Sequence, residues 1–282
     1  MLSIRPLAPA LGAEIQGLDL SRPLDEPTFA RVRDAFHEHS VILFRDQRLT
    51  EEQHIAFSRR FGTLEIHVAT QYLLPGHPEI VVLSNRVEDG KPKGIADAGR
   101  YWHSDLSYKQ RPSLGSLLYA IEVPEEGGDT LFASMTAAYA ALPGDLKRRI
   151  AGLQAIHRYG DRWRKDAEEG RARPALTEQD RAALPDAIHS VVRIHPATGR
   201  PALYVNEGFT VGIVGMPEAE SRALLDELFA FSTQPAFCYR HRWRPGDLLF
   251  WDNRSVVHCA TPYDPGAVRH MHRTTVAGDA AA

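Results

Sequence analysis

From Trp102 onward the chain is a succession of short β-type segments, each cut off by a turn residue, and few folds accept that pattern. Ser116 to Ile121 (SLLYAI), Ala202 to Asn206 (ALYVN), Phe237 to Trp243, Asp247 to Trp251 and Arg273 to Val276 are β-branched or aromatic and bounded by Gly, Pro or Asp. Helical spacing interrupts them at Met135 to Leu142, restarts at Pro143 through Leu153, and returns at Pro217 to Phe231. Before them come a helix-like Phe29 to His39, a buried strand VILF (Val41 to Phe44) and a short strand at Ile80 to Leu83. Thr50 opens a second helix with Gln53 at capping-box spacing, and Gly62 closes it. Short strands scattered among helices in this way predict a barrel or sandwich with helices packed outside.

With 282 residues and 43% hydrophobic content, the chain can bury a core as one large domain or two small ones. Its formal net charge of -3 gives no overall field toward nucleic acid or an anionic membrane. The only two cysteines, Cys238 and Cys259, are too few for a disulfide framework or a Cys-rich zinc site, which fits a reducing compartment. The opening MLSIRPLAPALGAEIQGLDL lacks a continuous apolar core, so it does not read as a secretory signal. No run approaches the roughly 18 consecutive apolar residues of a spanning helix. The expectation is a soluble cytoplasmic protein without nucleic-acid or membrane partners. The charged segment 158–186 is too long for a turn. It reads either as a solvated surface insertion or as a lid over an active site.

His103-Ser104-Asp105 carries the first chemical signal. On a strand, residues i and i+2 share a face, so an imidazole and a carboxylate would converge on one point. Two ligands hold a metal poorly, and His258, after the strand-turn segment Trp251 to Val257, is the best third. Two histidines and a carboxylate on one side of a metal leave positions open, the facial triad of non-haem Fe(II) oxygenases. With 13 histidines in the chain, His-x-Asp/Glu also arises by chance. His77-Pro78-Glu79 is such a lookalike, expected to be a turn because Pro75, Gly76 and Pro78 surround it.

Arg269 and Arg273 lie four residues apart, which on a strand puts both guanidiniums on one face, toward the cavity of His258. Buried like charges call for anions, and arginine suits bidentate carboxylate binding. The spacing alone equally allows a basic surface strand. His270 and His272 alternate with them and are expected to face away, and His157 is read as packing at a helix-to-insertion junction.

The ordered stretches VILFRDQ, EQHIAFSRRFG, YWHSD, VPEEGGDTLFASM, HPATGRPALYVNEGF, YRHRWRPGDLLFWDNRSVVH and RHMHRTTVAGD resemble the taurine dioxygenase and phenoxyacetate-herbicide dioxygenase family. The resemblance implies a mainly β, double-stranded β-helix (jelly roll, cupin-like) fold with flanking helices, spanning 1–282 as one domain. It implies Fe(II), 2-oxoglutarate as co-substrate and dioxygen, with iron on His103, Asp105 and His258. It places Thr130 and Arg269 on 2-oxoglutarate, and Arg273 on the anionic group of the prime substrate. His67, Phe209 and the pair Arg162-Trp163 align with substrate-contacting positions. Taurine-type members carry an asparagine where this chain has Gly99, which, together with Arg162 and Trp163 nearby, implies a differently shaped, larger anionic substrate. The expected reaction is hydroxylation of a C–H bond in a small sulfonate, sulfate ester or carboxylate, with release of the attached group where the product fragments. Ether cleavage of an aryloxyalkanoate is the alternative within the family, and a zinc hydrolase or a non-catalytic jelly-roll binding protein are the alternatives outside it. The resemblance also implies a homodimer or homotetramer.

Overall fold

Val41–Phe44 is apolar throughout because the strand it forms is covered on both faces. The structure is a computed structural model and describes residues 2–96, 98–159 and 185–278. Its strands in chain order are β1 (Ser3–Pro6), β2 (Ala13–Gln16), β3 (Val41–Phe44), β4 (Leu73–Leu74), β5 (His77–Ser84), β6 (Val87–Glu88), β7 (Lys91–Pro92), β8 (Gly115–Glu122) and β9 (Thr130–Ser134). They continue as β10 (Gln154–His157), β11 (Ala187–Ser190), β12 (Val192–Ile194), β13 (Pro201–Leu203), β14 (Thr210–Ile213), β15 (Cys238–His241), β16 (Leu248–Asp252), β17 (Val256–Ala260) and β18 (His270–Val276). The helices are α1 (Glu26–His39), α2 (Glu51–Arg59), α3 (Met135–Ala141), α4 (Gly144–Ile150) and α5 (Glu218–Ser232).

A large sheet runs β1-β2-β3-β16-β8-β18-β5-β4, and a smaller one runs β15-β9-β17. Only β2 and β3 pair in parallel within the large sheet. Strand alternation sorts the large sheet into two cores. Leu43, Leu118, Ala120, Leu249, Trp251 and Met271 point inward and pack with Phe132, Val256 and Trp243 of the smaller-sheet side. Ile42, Phe44, Leu117, Leu248 and Phe250 point outward, against Val32 and Phe36 of α1 and Phe57 of α2. Phe36 and Phe250 stack with centroids 3.9 Å apart. Each such side chain, fully buried, contributes roughly 1.5–3 kcal/mol. This is the jelly roll with flanking helices that the resemblance implied, and α3, α4 and α5 close a third core.

Local chemistry sets the element ends. Asp25 accepts from the Thr28 N–H at 2.8 Å, so α1 starts three residues before Phe29. The Thr50–Gln53 capping box forms as expected, although α2 ends at Arg59, short of Gly62. The strand expected over Ala202 to Asn206 stops at Leu203, because Asn206 N–H turns to Thr210 Oγ1. Phe237 belongs to a 3₁₀ turn before β15, which ends at His241 rather than Trp243.

At the charged insertion, β10 and β11 pair antiparallel, and Arg158 clasps Asp186 through Nε at 2.8 Å and Nη2 at 2.6 Å. Residues 160–184, with Arg162 and Trp163, lie outside the described residues, and so does the choice between lid and surface insertion. His157 sits on β10, fully buried, in a packing position. His77-Pro78-Glu79 is not the expected turn. It begins β5, where Pro78 is tolerated because the ladder has only just started, and Glu79 pairs with Arg59. Among the described residues no helix is long and apolar enough to cross a membrane.

Candidate metal centre and adjoining cavity

His258 projects from β17, and a single antiparallel bridge sets His103 beside it: His103 N–H donates to His258 O at 3.0 Å and His258 N–H to His103 O at 2.8 Å. The expected strand through His103 and Asp105 does not form. The bridge is one residue long, and the chain turns at once, with Leu106 at φ 57. The two side chains converge nonetheless. His103 Nε2 lies 3.5 Å from Asp105 Oδ1, and His258 Nε2 lies 3.9 Å from Asp105 Oδ2. The ligand atoms of all three lie within 4.8 Å of one another, the only such group among the described residues.

The donor chemistry fits a metal ion. His103 Nδ1 is 2.9 Å from Tyr101 O, and a carbonyl only accepts, so Nδ1 carries the proton and Nε2 keeps its lone pair. Burial, followed by the neighbouring His103, keeps the His258 imidazole well below its usual range and therefore neutral. Burial alone would raise the Asp105 carboxyl, but Arg273 first, then His258 and His103, hold it well below the usual carboxylate range. Neutral imidazoles and an ionised carboxylate are the forms that bind a divalent cation.

A cavity of about 260 Å³ opens beside this cluster, lined by His103, Asp105, Arg273 and His67 and walled by Tyr101, Tyr108, Tyr159 and Phe209 among others. The Phe209 ring meets Tyr108 edge-on at 4.9 Å, and Tyr108 meets Tyr159 at 4.4 Å. Arg273 points inward from β18 and donates from Nη1 to Asp105 Oδ1 at 3.2 Å. His67 Nδ1 accepts from the Ala69 N–H at 3.0 Å. Burial, then Arg273, lowers the His67 imidazole to about 4, so it is neutral with its proton on Nε2.

Arg269 is not among the residues that line this cavity. Arg269 lies one residue before β18, and its main chain bonds to Asn85, one residue beyond β5. It is buried behind Gly128, where an added Cβ would lie 3.4 Å from Arg269 Cδ. Burial, then the like charge of Arg100, lowers it to about 10, and no carboxylate pairs with it among the described residues. Thr130 is buried on β9, and its Oγ1 accepts from Trp243 Nε1 at 3.0 Å. His270 and His272 do not line the cavity, in agreement with their alternation.

Gly99 packs directly against a metal-cluster histidine. Its φ is +72, and a Cβ there would sit 2.6 Å from His103 Cε1. The imidazole itself fills the space a side chain would have taken. Gly208 flanks the other side, where a Cβ would lie 3.0 Å from His103 Cβ. Sequence reasoning also passed over Tyr101, Tyr108 and Tyr159, although two of them bracket the His103-x-Asp105 signal at close range.

The family model described as taurine catabolism dioxygenase TauD, TfdA family matches residues 3–275. The chain belongs to that family. It is 37% identical over 285 residues to the alpha-ketoglutarate-dependent 2,4-dichlorophenoxyacetate dioxygenase of Cupriavidus pinatubonensis, covering 98% of this chain and 97% of the relative. It is 34% identical to the pentalenolactone F synthase of Streptomyces arenae, over 95% of this chain and 92% of that one. A taurine dioxygenase structure from Burkholderia xenovorans superimposes with a TM-score of 0.82 at 34% identity, covering 99% of this chain and 90% of that chain. AAD-2 in complex with Mn(II) and N-oxalylglycine gives a TM-score of 0.86 at 33% identity, over 100% and 98%. This TauD/TfdA chain is an alpha-ketoglutarate (2-oxoglutarate)-dependent dioxygenase, and its cofactors are those of the family: Fe(II), 2-oxoglutarate and dioxygen. Neither a zinc hydrolase nor a non-catalytic binding protein is found among these relatives.

Proposed function

We propose that the chain hydroxylates an aryloxyalkanoate-like carboxylate at the carbon beside its ether oxygen. The observation that carries this reading is the make-up of the cavity: one guanidinium, Arg273, at the metal cluster, and walls of Tyr101, Tyr108, Tyr159 and Phe209. Aromatic walls bind an aryl body through burial and edge-to-face contact, and they offer little to a short polar aminosulfonate. Relatives that act on phenoxy acids, at 37% identity, support the same substrate class.

In this reading His103, Asp105 and His258 hold the iron, whose open positions when bound supply the oxidation of 2-oxoglutarate and the substrate by dioxygen to succinate, carbon dioxide and a hydroxylated product. Arg273 takes the substrate carboxylate, and the neutral His67 Nε2–H adds a donor at the same end. The aromatic walls exclude water and set the aryl ring so that the ether carbon faces the metal cluster. Arg269, buried without a carboxylate partner among the described residues, takes the distal carboxylate of 2-oxoglutarate. Thr130 assists it: its oxygen already accepts from Trp243, so its proton is free to donate. Hydroxylation at an ether carbon gives a hemiacetal, which releases the phenol and leaves an aldehyde acid. The chain works as one domain in the cytoplasm, a setting supported by its two cysteines, which form no disulfide.

The test is 2-oxoglutarate consumption by iron-loaded protein with a phenoxyacetate, taurine and an alkyl sulfate ester in parallel. Phenol release matching succinate one for one with phenoxyacetate is the expected result. Coupled turnover with taurine or the sulfate ester alone would overturn the assignment.

A further inference from the structure

One side chain outside the cavity lining meets Asp105 directly at its main-chain N–H, and through two serines at its main-chain carbonyl and its carboxylate. Asn253 lies in the turn between β16 and β17 and is 1% exposed. Its Oδ1 accepts from the Asp105 N–H at 3.3 Å and from Trp251 Nε1 at 3.0 Å. Its Nδ2 donates to Ser113 Oγ at 2.8 Å and to Ser116 Oγ at 3.2 Å. Those serines pass the contact on. Ser113 Oγ donates to the Asp105 main-chain carbonyl at 2.9 Å, and Ser116 Oγ donates to Asp105 Oδ2 at 2.7 Å. Ser104, between the two ligands, donates to the Asn253 carbonyl at 2.7 Å.

The directions of these bonds are forced. An indole N–H and a main-chain N–H only donate, so the face of Asn253 toward Trp251 and Asp105 must be the oxygen. The other face is then the NH₂, and it donates to both serines. A hydroxyl that receives a donor still has its one proton to give, and each serine gives it to Asp105. Oδ2 is thereby tied back to β8, while Oδ1 faces His103 Nε2 and Arg273 Nη1. Asp105 needs such support because its own backbone is a turn rather than a strand, so no ladder aims it.

We propose that Asn253 is a positioning residue that, through Ser116 and Ser113, sets which carboxylate oxygen of Asp105 is presented to the metal. This rests on the reading of Asp105 as a metal ligand. The discriminating variants are Asn253→Asp and Ser116→Ala. The first is isosteric and keeps the acceptor for Trp251 and Asp105, but it replaces the donor by an acceptor, so the serine protons turn away from Asp105. The second removes only the bond to Oδ2.

The experiment titrates Mn(II) into the metal-free full chain and records the Co(II) absorption bands of wild type, both variants, their double mutant and Asp105→Ala. Hydrogen-bond partners that orient a metal ligand are worth about 10- to 100-fold in metal affinity. The expected result is a loss in that range for each variant, shifted Co(II) bands, and a double mutant no weaker than the weaker single. Wild-type affinity and an unchanged spectrum in Ser116→Ala overturn the proposal, as do losses that multiply in the double mutant. Should Asn253→Asp fail to fold, Ser116→Ala alone decides. If Asp105→Ala binds Mn(II) like wild type, the ligand reading itself has failed; if it loses the metal while Ser116→Ala does not, only the positioning proposal has.

Discussion

Arg273 Nη1 lies 3.2 Å from Asp105 Oδ1, so the cation that faces the substrate cavity also touches the carboxylate of the metal cluster. Both side chains are nearly buried, and Arg273 Nε has no partner among the described residues. A substrate carboxylate entering the cavity would satisfy that nitrogen and relieve the Asp105 contact at once.

Replacing Arg273 by Met should therefore raise KM for an anionic substrate about 10- to 100-fold, the equivalent of a charged hydrogen bond worth roughly 1.5–3 kcal/mol. KM for 2-oxoglutarate should stay unchanged. Steady-state kinetics varying each co-substrate in turn separate the two. A rise confined to 2-oxoglutarate would mean that Arg273 serves the co-substrate instead.

Gly99 offers a sharper geometric test, because a second glycine supplies the control. Gly152 has φ +74 and nothing within 4 Å of the point an added methyl group would occupy, so Gly152→Ala should cost only the left-handed strain, about 1–2 kcal/mol. Gly99→Ala carries the same strain at φ +72 and also drives a methyl into His103 Cε1. It should lose metal affinity at least about tenfold, as changes that misorient a ligand do. Equal denaturation midpoints with intact Mn(II) binding in both variants would show that the His103 ring has room to move.

The fold was legible where a residue's neighbours in sequence decide its environment. The VILF strand, the Thr50–Gln53 cap and the outward helices follow from periodicity and capping alone. The candidate metal group was legible by residue type, since two histidines and a carboxylate fit a facial triad. Its local geometry was not. His103 is held by one long-range bridge to His258, and no spacing rule encodes that. Arg269, one residue before β18, is not in the lining of the cavity that Arg273 enters, so spacing alone did not say which of the two arginines faces it. The contact between Asn253 and Ser116 carried no signal, because they meet across 137 positions of chain.

Trp243 should matter to 2-oxoglutarate without touching the metal cluster. Its Nε1–H occupies the Thr130 oxygen and leaves the Thr130 proton for an acceptor. Trp243→Phe frees that oxygen and unfixes the hydroxyl, a loss of about 0.5–1.5 kcal/mol for one neutral hydrogen bond. KM for 2-oxoglutarate should rise about 2- to 10-fold with Mn(II) affinity retained. An unchanged KM would remove Thr130 from the co-substrate site.

Stability should fall on mild acidification, before the carboxylates titrate. Burial, joined for His54 by His272 and for His157 by His189, lowers both imidazoles from the ordinary 6.5 to about 3. Each is neutral in the folded chain, while its unfolded counterpart takes up a proton as pH drops through 6.5. Between those two values the unfolded state binds more protons, so stability rises with pH, and each group contributes a slope of up to about 1.4 kcal/mol per pH unit. The loss begins near pH 6.5 and levels off near pH 3. Depressed carboxyls such as Asp252 add their own loss only below the usual carboxylate value of 3.8, which leaves the upper part of the window to the histidines. Urea unfolding of the full chain at half-unit steps from pH 7 to 4.5 should show this slope, and His157→Gln should flatten it. A stability that stays level across that range would mean that both rings find a proton-accepting partner on charging.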